Sequence, residues 1–244
     1  MNQYYDISIV IPVFNEENCI GETLDRIVSY MSSKNLSYEI IVADDGSTDR
    51  TKDIVEKFAK QNQNVEIKFV SLGIHRGKGF AVKLGMKEAK GDYVIFLDVD
   101  LSTDISEIDK FLNYIKEYDI VIGSRALKDS KILFHQPFYR EICGKLFNKF
   151  LKVVLGLPYN DTQCGAKMFR NFVAKQIFNK VNIDGFAFDA EVLLLAKIQN
   201  YKVVEIPIIW RHSKNTKVKF IKDGINMLLD VLKVKINYLR GKYK

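Results

Sequence analysis

Residues 7–17 read ISIVIPVFNEE, an apolar run that stops at a proline and gives way to polar and acidic side chains. A run of this length, bounded by turn residues, is typical of a strand buried in a parallel sheet with both faces covered. The chain contains four further runs of the same character. We therefore predict buried strands over Ile7–Pro12, Glu39–Ala43, Val65–Val70, Tyr93–Asp98 and Ile120–Gly123.

The segments between these strands carry apolar residues at helical spacing. Stripes follow the first, second and fourth strands: Ile20, Leu24, Ile27, Val28 and Met31; Ile54, Val55 and Phe58; Ile105, Ile108, Phe111, Leu112 and Ile115. Strands that alternate with helices predict an α/β fold with a mostly parallel, Rossmann-like sheet and helices on both faces. Ligands of such sheets bind beyond the carboxyl ends of the strands.

Acidic residues follow three of the predicted strands, as Glu16-Glu17, Asp44-Asp45 and Asp98-Val99-Asp100. Carboxylates gathered at one crevice repel one another unless a cation or hydrogen-bond donors compensate. Mg²⁺ typically takes one or two protein carboxylates and completes its shell with substrate phosphates and water. An isolated D-x-D favours a solvated loop, but its position after a strand, beside other acids, makes Asp98 and Asp100 a predicted divalent-cation site.

A short basic turn, Ile74-His75-Arg76-Gly77-Lys78-Gly79, follows the third strand and opens a helix. Its glycines permit close approach of the backbone to a diphosphate, and basic side chains such as Lys78 can face the phosphates. A plain turn accounts for the same residues equally well. The first strand lacks the G-x-G-x-x-G that dinucleotide binding requires, which argues against an oxidoreductase.

The 244 residues suffice for one large domain with a substantial core. No stretch approaches the roughly 18 apolar residues that span a bilayer, and the N-terminus lacks the pattern of a secretory signal. Three cysteines, Cys19, Cys143 and Cys164, are an odd number without paired spacing. They indicate a reducing compartment rather than a disulfide framework or a zinc site, and we predict a cytoplasmic protein.

The net charge of +7 lies in the C-terminal tail. From Arg211 to Lys244 there are ten Lys/Arg and two acidic residues, whereas residues 1–210 hold 27 basic and 28 acidic residues. A tail with this balance predicts an anionic partner.

Two amphipathic segments suggest what that partner is. Their apolar members are Phe134, Phe138, Ile142, Leu146, Phe147, Phe150, Leu151, Val153, Val154 and Leu155 in the first, and Ile221, Ile225, Leu228, Leu229, Leu232, Ile236 and Leu239 in the second. Interfacial helices have such wide apolar stripes with basic flanks. Packing on the domain or a dimer contact is the alternative. Nucleic acid is disfavoured because few stacking aromatics interleave with the tail's charges.

Several blocks resemble a known family. IVIPVFNEE, ADDGSTD, HRGKG and DVDLS resemble the family 2 glycosyltransferases of the GT-A fold. GSRAL, NDTQCGAKMF, GFAFDAEVLLLA and EIPIIWRHSKNTKV resemble the branch with the dolichyl-phosphate β-glucosyltransferases and dolichol-phosphate mannose synthases, and DTQCG favours the former. The resemblance spans about residues 7–218. It implies a single GT-A domain over residues 1–210, with interface helices at about 134–156, and a basic lid and amphipathic tail over 211–244.

The same resemblance implies roles for individual positions. The implied nucleotide contacts are Pro12, Phe14, Glu16, Ala43, Asp45, Lys78, Asp98 and Val99. The implied ligands of Mg²⁺ or Mn²⁺ are Asp98 and Asp100. The implied catalytic set is Asp100, Arg125 and Asp161, with Asp161 either a base or an acceptor-orienting group. Arg140 and Lys214 are implied on the acceptor side and in a mobile basic lid.

Three features of the second half keep more than one interpretation. Cys164 favours a small buried filler. Asp189 and Glu191 begin a helix, so a favourable interaction with its dipole and a functional role are equally compatible. Trp210 favours packing over a sugar platform.

We predict an inverting, metal-dependent hexosyltransferase that moves glucose or mannose from UDP-glucose, or secondarily GDP-mannose, to a polyprenyl phosphate at the cytoplasmic face of a membrane. One alternative is a family 2 enzyme acting on a saccharide or cell-surface polymer, whose hydroxyl nucleophile needs a true base; the DTQCG block argues against it. The other is a catalytically silent nucleotide-sugar-binding module, which the intact Asp98, Asp100 and Arg125 disfavour.

Overall fold

The structure, a computed structural model, describes residues 4–212 and 220–243. In chain order the elements are β1 (Ile7–Val13), α1 (Ile20–Met31), β2 (Tyr38–Asp44), α2 (Thr51–Gln61), β3 (Glu66–Ser71), α3 (Lys78–Glu88), β4 (Tyr93–Leu97), a 3₁₀ turn (Ile105–Glu107), α4 (Ile108–Tyr114), β5 (Ile120–Ser124), β6 (Lys131–Phe134), α5 (Phe138–Leu155), β7 (Ala166–Arg170), α6 (Asn171–Lys180), α7 (Phe188–Ile198), β8 (Val203–Pro207), β9 (Ile209–Arg211) and α8 (Phe220–Leu239). Within the described ranges seven strands form one sheet in the order β3-β2-β1-β4-β7-β5-β8, and β6 pairs with β9 apart from it.

The predicted mostly parallel α/β fold is confirmed. The apolar runs of β1, β2, β4 and β5 become strands whose ends differ from prediction by one residue at most. Ile9 of β1 lies opposite Ile40 of β2 and Ile95 of β4 in parallel register, and all three are fully buried. Helices cover both faces, and each face has its own apolar layer: α3, α6 and α7 contribute to one, and α1, α2 and α4 to the other.

The third predicted strand differs from expectation. We predicted a buried strand over Val65–Val70, but β3 runs over Glu66–Ser71 and lies at the edge of the sheet, where β2 is its one partner among the described strands. Its two ends are exposed and its middle is half-buried. Glu66 and Lys68 explain the difference, because an edge strand tolerates charged side chains that a central strand does not.

An antiparallel strand, β7, is inserted between β4 and β5. The sequence pattern did not predict it. Leu97, the last residue of β4, lies opposite Ala166, the first residue of β7. The chain leaving β4 therefore meets the chain entering β7 at the same edge of the sheet, which brings the D-x-D turn beside the DTQCG block.

The end of the chain is fixed to the body. Val231 and Val234 of α8 are fully buried, and Tyr243 is 2% exposed. The hydroxyl of Tyr243 donates to Oε1 of buried Glu191 (2.6 Å). The other carboxylate oxygen of Glu191 accepts the backbone N–H groups of Asn182 (2.9 Å) and Ile183 (2.8 Å). Glu191 thus ties the C-terminus to the segment between α6 and α7, while the domain boundary at residue 210 stays a prediction.

The two longest helices in the described residues are α5, with 18 residues, and α8, with 20. Within residues 4–212 and 220–243, no helix is both long and apolar enough to span a bilayer.

Replacing Tyr243 by Phe is expected to lower the free energy of unfolding by about 1–3 kcal/mol, because a buried carboxylate oxygen of Glu191 loses its donor. Urea denaturation measures the change. The matched control is Tyr238→Phe, since Tyr238 is 44% exposed and should change stability little. Equal stability of the two variants would show that the buried hydrogen bond is not what holds the C-terminus.

Candidate active site

Asp98 lies at the centre of the crevice beyond the strand ends. Its Oδ1 accepts a hydrogen bond from Nζ of Lys78, the first residue of α3, and the two form an ion pair. Its carboxylate also packs directly on Gly165, where an added Cβ would overlap it. The antiparallel pairing of β4 and β7 imposes this approach, because Asp98 and Gly165 each lie one residue beyond the pair Leu97 and Ala166. The glycine of the DTQCG block therefore makes room for the first acid of D-x-D.

The D-x-D turn has a strained backbone. Leu101 is buried and has a φ of +45°, a region that side-chain-bearing residues rarely adopt. Its N–H donates to the carbonyl of Asp98 (2.9 Å), and the hydroxyl of Thr23 donates to the carbonyl of Val99. This turn directs Asp100 outward, so that the residue is exposed while its carboxylate accepts the N–H of Ser102 (2.9 Å). Desolvation of the carboxyl group and repulsion from Asp98 raise the pKa of Asp100.

The loops after β1 and β2 are joined to each other. The backbone N–H of Asn15 donates to Oγ of Ser47 (2.8 Å), and that of Glu16 donates to Oγ1 of Thr51 (2.8 Å). Asn15 returns a bond by accepting the N–H of Thr48 (2.7 Å) through its side chain. The FNEE and DGSTD segments thus form one wall of the crevice.

The predicted nucleoside contacts gather at this wall. Pro12 and Ala43 are buried and lie opposite each other in the β1–β2 register. Phe14 is half-buried, and its ring stacks on that of His75 with centroids 3.9 Å apart. Glu16 is half-buried and accepts a hydrogen bond from the thiol of Cys19 (3.0 Å).

Asp45 connects that wall to the basic turn. Its carboxylate accepts the backbone N–H groups of Arg76 (2.8 Å) and Gly77 (2.8 Å) and lies 2.8 Å from Nδ1 of His75. Asp44 has a different role, because its oxygens accept the N–H groups of residues 46 and 47 and shape their own turn. Hydrogen-bond donors of the protein compensate this pair of acids.

The two glycines of the basic turn are explained by packing that the sequence did not reveal. A Cβ at Gly77 would lie 2.5 Å from the carbonyl oxygen of Asp184, and one at Gly79 would lie 2.6 Å from Cβ of Phe188. The turn is pressed against the segment that leads into α7. Of its basic side chains, Arg76 pairs with Asp184 (2.5 Å), and Lys78 reaches Asp98.

Asp161 is the first residue of the DTQCG block, of which Gly165 is the last, and it is 6% exposed. Both of its oxygens bind the guanidinium of Arg125, through Nε (2.7 Å) and Nη2 (2.8 Å). The guanidinium in turn lies 5.3 Å from the ring centroid of Trp210. Burial alone would raise the pKa of Asp161, but Arg125 holds it below the ordinary value. Asp161 is therefore a carboxylate that orients Arg125.

A second buried ion pair lies beneath the crevice. Lys167 of β7 is fully buried, and its Nζ binds Oδ1 of Asp189 (2.5 Å) and the carbonyl of Cys164 (2.6 Å). Asp189 sits in the first turn of α7, and burial raises its pKa against the opposing effect of Lys167. Lys167 was not predicted as a site residue; the signal for it in the sequence is a lysine inside the short run AKMFR.

The remaining predicted residues are placed as follows. Cys164 is fully buried, and burial raises the pKa of its thiol to about 11, so the thiol is protonated at neutral pH. Arg140 lies in the first turn of α5, where its backbone N–H donates to the carbonyl of Pro137 (2.8 Å). Lys214 lies outside the described residues. The acceptor roles of Arg140 and Lys214 stay predictions.

Asp98 and Asp100 fit a divalent cation that a bound substrate helps to hold. One or two carboxylates are what Mg²⁺ typically takes from a protein. Within the described residues no cluster of three or more His, Cys, Asp or Glu offers a site made of protein ligands alone. Asp100 is exposed, and its carboxylate lies near enough to that of Asp98 for the two to repel each other, so the two residues together would hold the cation.

The chain is similar to proteins of one known family. The family model described as glycosyl transferase family 2 matches residues 8–178. A dolichyl-phosphate β-glucosyltransferase of Dictyostelium discoideum is 32% identical over 249 residues, which cover 98% of this chain and 76% of the relative. The human protein of the same name is 27% identical over 250 residues, which cover 98% of this chain and 77% of that protein.

Solved structures show the same fold. Glucosyl-3-phosphoglycerate synthase from Mycobacterium tuberculosis in complex with uridine diphosphate has a TM-score of 0.67 at 19% identity, over 95% of this chain and 80% of that one. Its complex with Mn²⁺, UDP-glucose and phosphoglyceric acid has a TM-score of 0.68 at 16% identity, over the same shares of the two chains. The fold is GT-A.

Replacing Gly165 by Ala is expected to displace the Asp98 carboxylate and to weaken Mn²⁺ binding in the presence of UDP at least about tenfold, equivalent to roughly 1.4 kcal/mol. Electron paramagnetic resonance of free Mn²⁺ measures the affinity. The control is Gly144→Ala in α5, where an added Cβ meets nothing within 4 Å. Mn²⁺ affinity that stays equal in the two variants would remove Gly165 from the site.

Replacing Asp161 by Asn is expected to lower the free energy of unfolding by about 2–3 kcal/mol at neutral pH, since it leaves Arg125 without its counter-charge while 27% of the Arg125 side chain stays exposed. A carboxylate with a depressed pKa stabilises the fold above its unfolded pKa of about 3.9, and this stabilisation is lost as pH falls through the folded pKa. The difference between wild type and variant, measured by urea denaturation, should therefore shrink below about pH 4. A difference that is independent of pH would show that Asp161 is not held as a carboxylate.

Proposed function

This chain belongs to glycosyl transferase family 2, and from that premise we propose that it transfers glucose from UDP-glucose to a polyprenyl phosphate of the dolichyl type with inversion. The observation that carries the proposal is the contact of Asp98 with Gly165. This contact sets the D-x-D turn against the DTQCG block, whose Asp161 binds Arg125. The similarity to dolichyl-phosphate β-glucosyltransferases over nearly the whole chain supports the sugar and the acceptor. GDP-mannose is the second candidate donor.

On the donor side, the wall that carries Phe14 and Asp45 would receive the nucleoside, and Asp98 and Asp100 would hold Mg²⁺ or Mn²⁺. The neighbouring structures with Mn²⁺ and UDP-glucose support a divalent metal. When bound, the cation supplies positive charge to the departing diphosphate. Lys78 adds a second cationic group at the same place, and it is free to turn from Asp98 towards a phosphate once a metal neutralises that carboxylate.

On the acceptor side, the nucleophile would be a phosphate oxygen. A phosphate monoester has a second pKa near about 6, so it arrives largely ionised at neutral pH and needs no strong base. This matches Asp161, whose lowered pKa and bidentate bond to Arg125 make it a poor proton acceptor. Arg125 would attract the acceptor phosphate, and in-line attack would convert an α-linked donor into a β-linked product.

A membrane surface would present that acceptor. The apolar residues at the start of α5 are exposed, as are those along α8, and the two helices contact each other. The exposed members are Phe134, Phe138, Ile142, Leu146 and Val153 in and before α5, and Ile225, Leu228, Leu229, Leu232, Ile236 and Leu239 in α8. We call these residues the apolar platform.

The other face of each helix packs on the protein, through Leu151 and Leu155 of α5 and through Val231 and Val234 of α8. The apolar platform is therefore separate from the faces of α5 and α8 that pack on the core. It groups several exposed apolar side chains on two helices that contact each other, whereas single scattered ones are normal on a protein surface. Exposed lysines flank it, among them Lys145, Lys149 and Lys233. We propose that it rests on the cytoplasmic leaflet as a peripheral contact.

Transfer assays test the function directly. Purified protein with Mg²⁺ or Mn²⁺ and a short polyprenyl phosphate is expected to accept UDP-glucose in preference to GDP-mannose and to lose activity in excess chelator. Asp100→Ala should lower kcat by about 10²–10³-fold, because charge stabilisation of the leaving group is lost, while the circular dichroism spectrum stays that of wild type. Transfer to saccharide hydroxyls instead of the lipid phosphate would favour the other class of acceptor, and full turnover in chelator would overturn the metal assignment.

Flotation on liposomes tests the membrane contact. Wild type should bind anionic vesicles strongly and neutral ones weakly, and salt at about 1 M, where screening falls to about 3 Å, should remove the electrostatic share only. Reversing Lys233, Lys235 and Lys242 to Glu is expected to weaken flotation on anionic vesicles. The matched control reverses the exposed Lys57, Lys116 and Lys202, which lie outside α5 and α8, and so carries the same change in net charge. Equal flotation of both triple variants would mean that the tail's charge serves another partner.

A further inference from the structure

Asn148 lies within α5, half-buried, on the helix that contributes part of the apolar platform. Asparagine is a poor residue for a helix interior, because its amide competes for backbone hydrogen bonds. Here the amide bonds to a neighbouring loop and not to its own helix. Its position thus favours an interaction outside the helix.

All four hydrogen bonds of the Asn148 side chain go to the loop over residues 159–162. Nδ2 donates to the carbonyls of Tyr159 (3.3 Å) and Asn160 (2.5 Å). Oδ1 accepts from the backbone N–H of Thr162 (3.4 Å) and from its hydroxyl (3.0 Å). One amide therefore holds the main chain on both sides of Asp161.

A second clamp acts on the same loop from the sheet. Glu205 of β8 accepts the N–H groups of Asn160 (2.8 Å) and Asp161 (2.9 Å). The main chain around Asp161 is thus hydrogen-bonded to β8 on one side and to α5 on the other, and the carboxylate of Asp161 binds Arg125. In the described ranges Asn148 is the α5 side chain that hydrogen-bonds the main chain of this loop.

We propose that Asn148 is a positioning residue that couples the platform helix to the acceptor side of the site, so that seating α5 on a lipid surface fixes the Asp161–Arg125 pair for transfer. This inference rests on the proposed function for its kinetic consequence, whereas the hydrogen bonds between helix and loop are present whatever the activity. Asn148 touches no reacting atom; it acts through the loop.

The kinetic test compares Asn148→Ala with Lys152→Met. Lys152 is on the same helix and bonds only the side chain of Asn160 (3.0 Å), so its variant removes a contact between helix and loop without releasing the main chain. Asn148→Ala should lower kcat for transfer by up to about a hundredfold, the effect of a misplacement near 1 Å, and leave UDP-glucose affinity by calorimetry unchanged. Lys152→Met should retain wild-type kcat. Equal loss of donor affinity and transfer in Asn148→Ala would show a merely structural role and overturn the proposal.

A double-mutant cycle sharpens the assignment. Thr162→Val removes only the hydroxyl bond to Asn148 and keeps the side-chain shape. Its effect on kcat should be absorbed by Asn148→Ala in the double variant, since neighbours in one network are not additive. Full additivity would contradict the shared network.

Amide hydrogen exchange provides a readout that needs no substrate. Anionic vesicles without acceptor lipid should slow exchange over residues 159–162 in wild type and in Lys152→Met, and should leave it unchanged in Asn148→Ala. If wild type transfers no sugar but shows this coupling, the proposed function fails and the inference stands. If vesicles bind wild type without altering exchange in this loop, the inference fails whatever the activity.

Discussion

Crowding of carboxylates at one edge of the sheet is the constraint on which the rest of the site depends. Asp45 is compensated by backbone amides of the basic turn, Asp98 by Lys78, Asp161 by Arg125 and Asp189 by Lys167. In the described ranges Asp100 makes no ion pair. The fold thus satisfies its own acids one by one and leaves negative charge where a cation and a diphosphate can meet it.

The antiparallel strand β7 makes this arrangement possible. Because Ala166 pairs with Leu97, the loop before β7 passes directly over the turn after β4, and only a glycine at position 165 fits beneath Asp98. The same strand carries Lys167 into the interior to neutralise Asp189. The groups proposed for the donor side and for the acceptor side are therefore parts of one packed unit.

The sequence was sufficient for β1, β2, β4 and β5, because these strands are continuous apolar runs that a covered sheet accommodates. It did not predict β8, which pairs with β5 in parallel. It was insufficient where a contact between distant segments decides. β3 is partly exposed because it lies at the edge of the sheet, which its own residues do not reveal. The place of β7 depends on its pairing with β4, a contact that no hydrophobic pattern predicts. The pairing of Asp161 with Arg125 likewise joins residues 36 apart in the chain. The D-x-D acids could be identified as candidates because they are close together in the sequence and directly follow a predicted strand.

The most direct test of this account is anomalous diffraction from crystals grown with Mn²⁺ and UDP-glucose. The account predicts a manganese peak within about 2.2 Å of carboxylate oxygens of both Asp98 and Asp100, with the Lys78 ammonium turned from Asp98 to the diphosphate and the Asp161–Arg125 pair intact. A peak bound elsewhere, or UDP-glucose seated with Lys78 still on Asp98 and no manganese between the two acids, would contradict it.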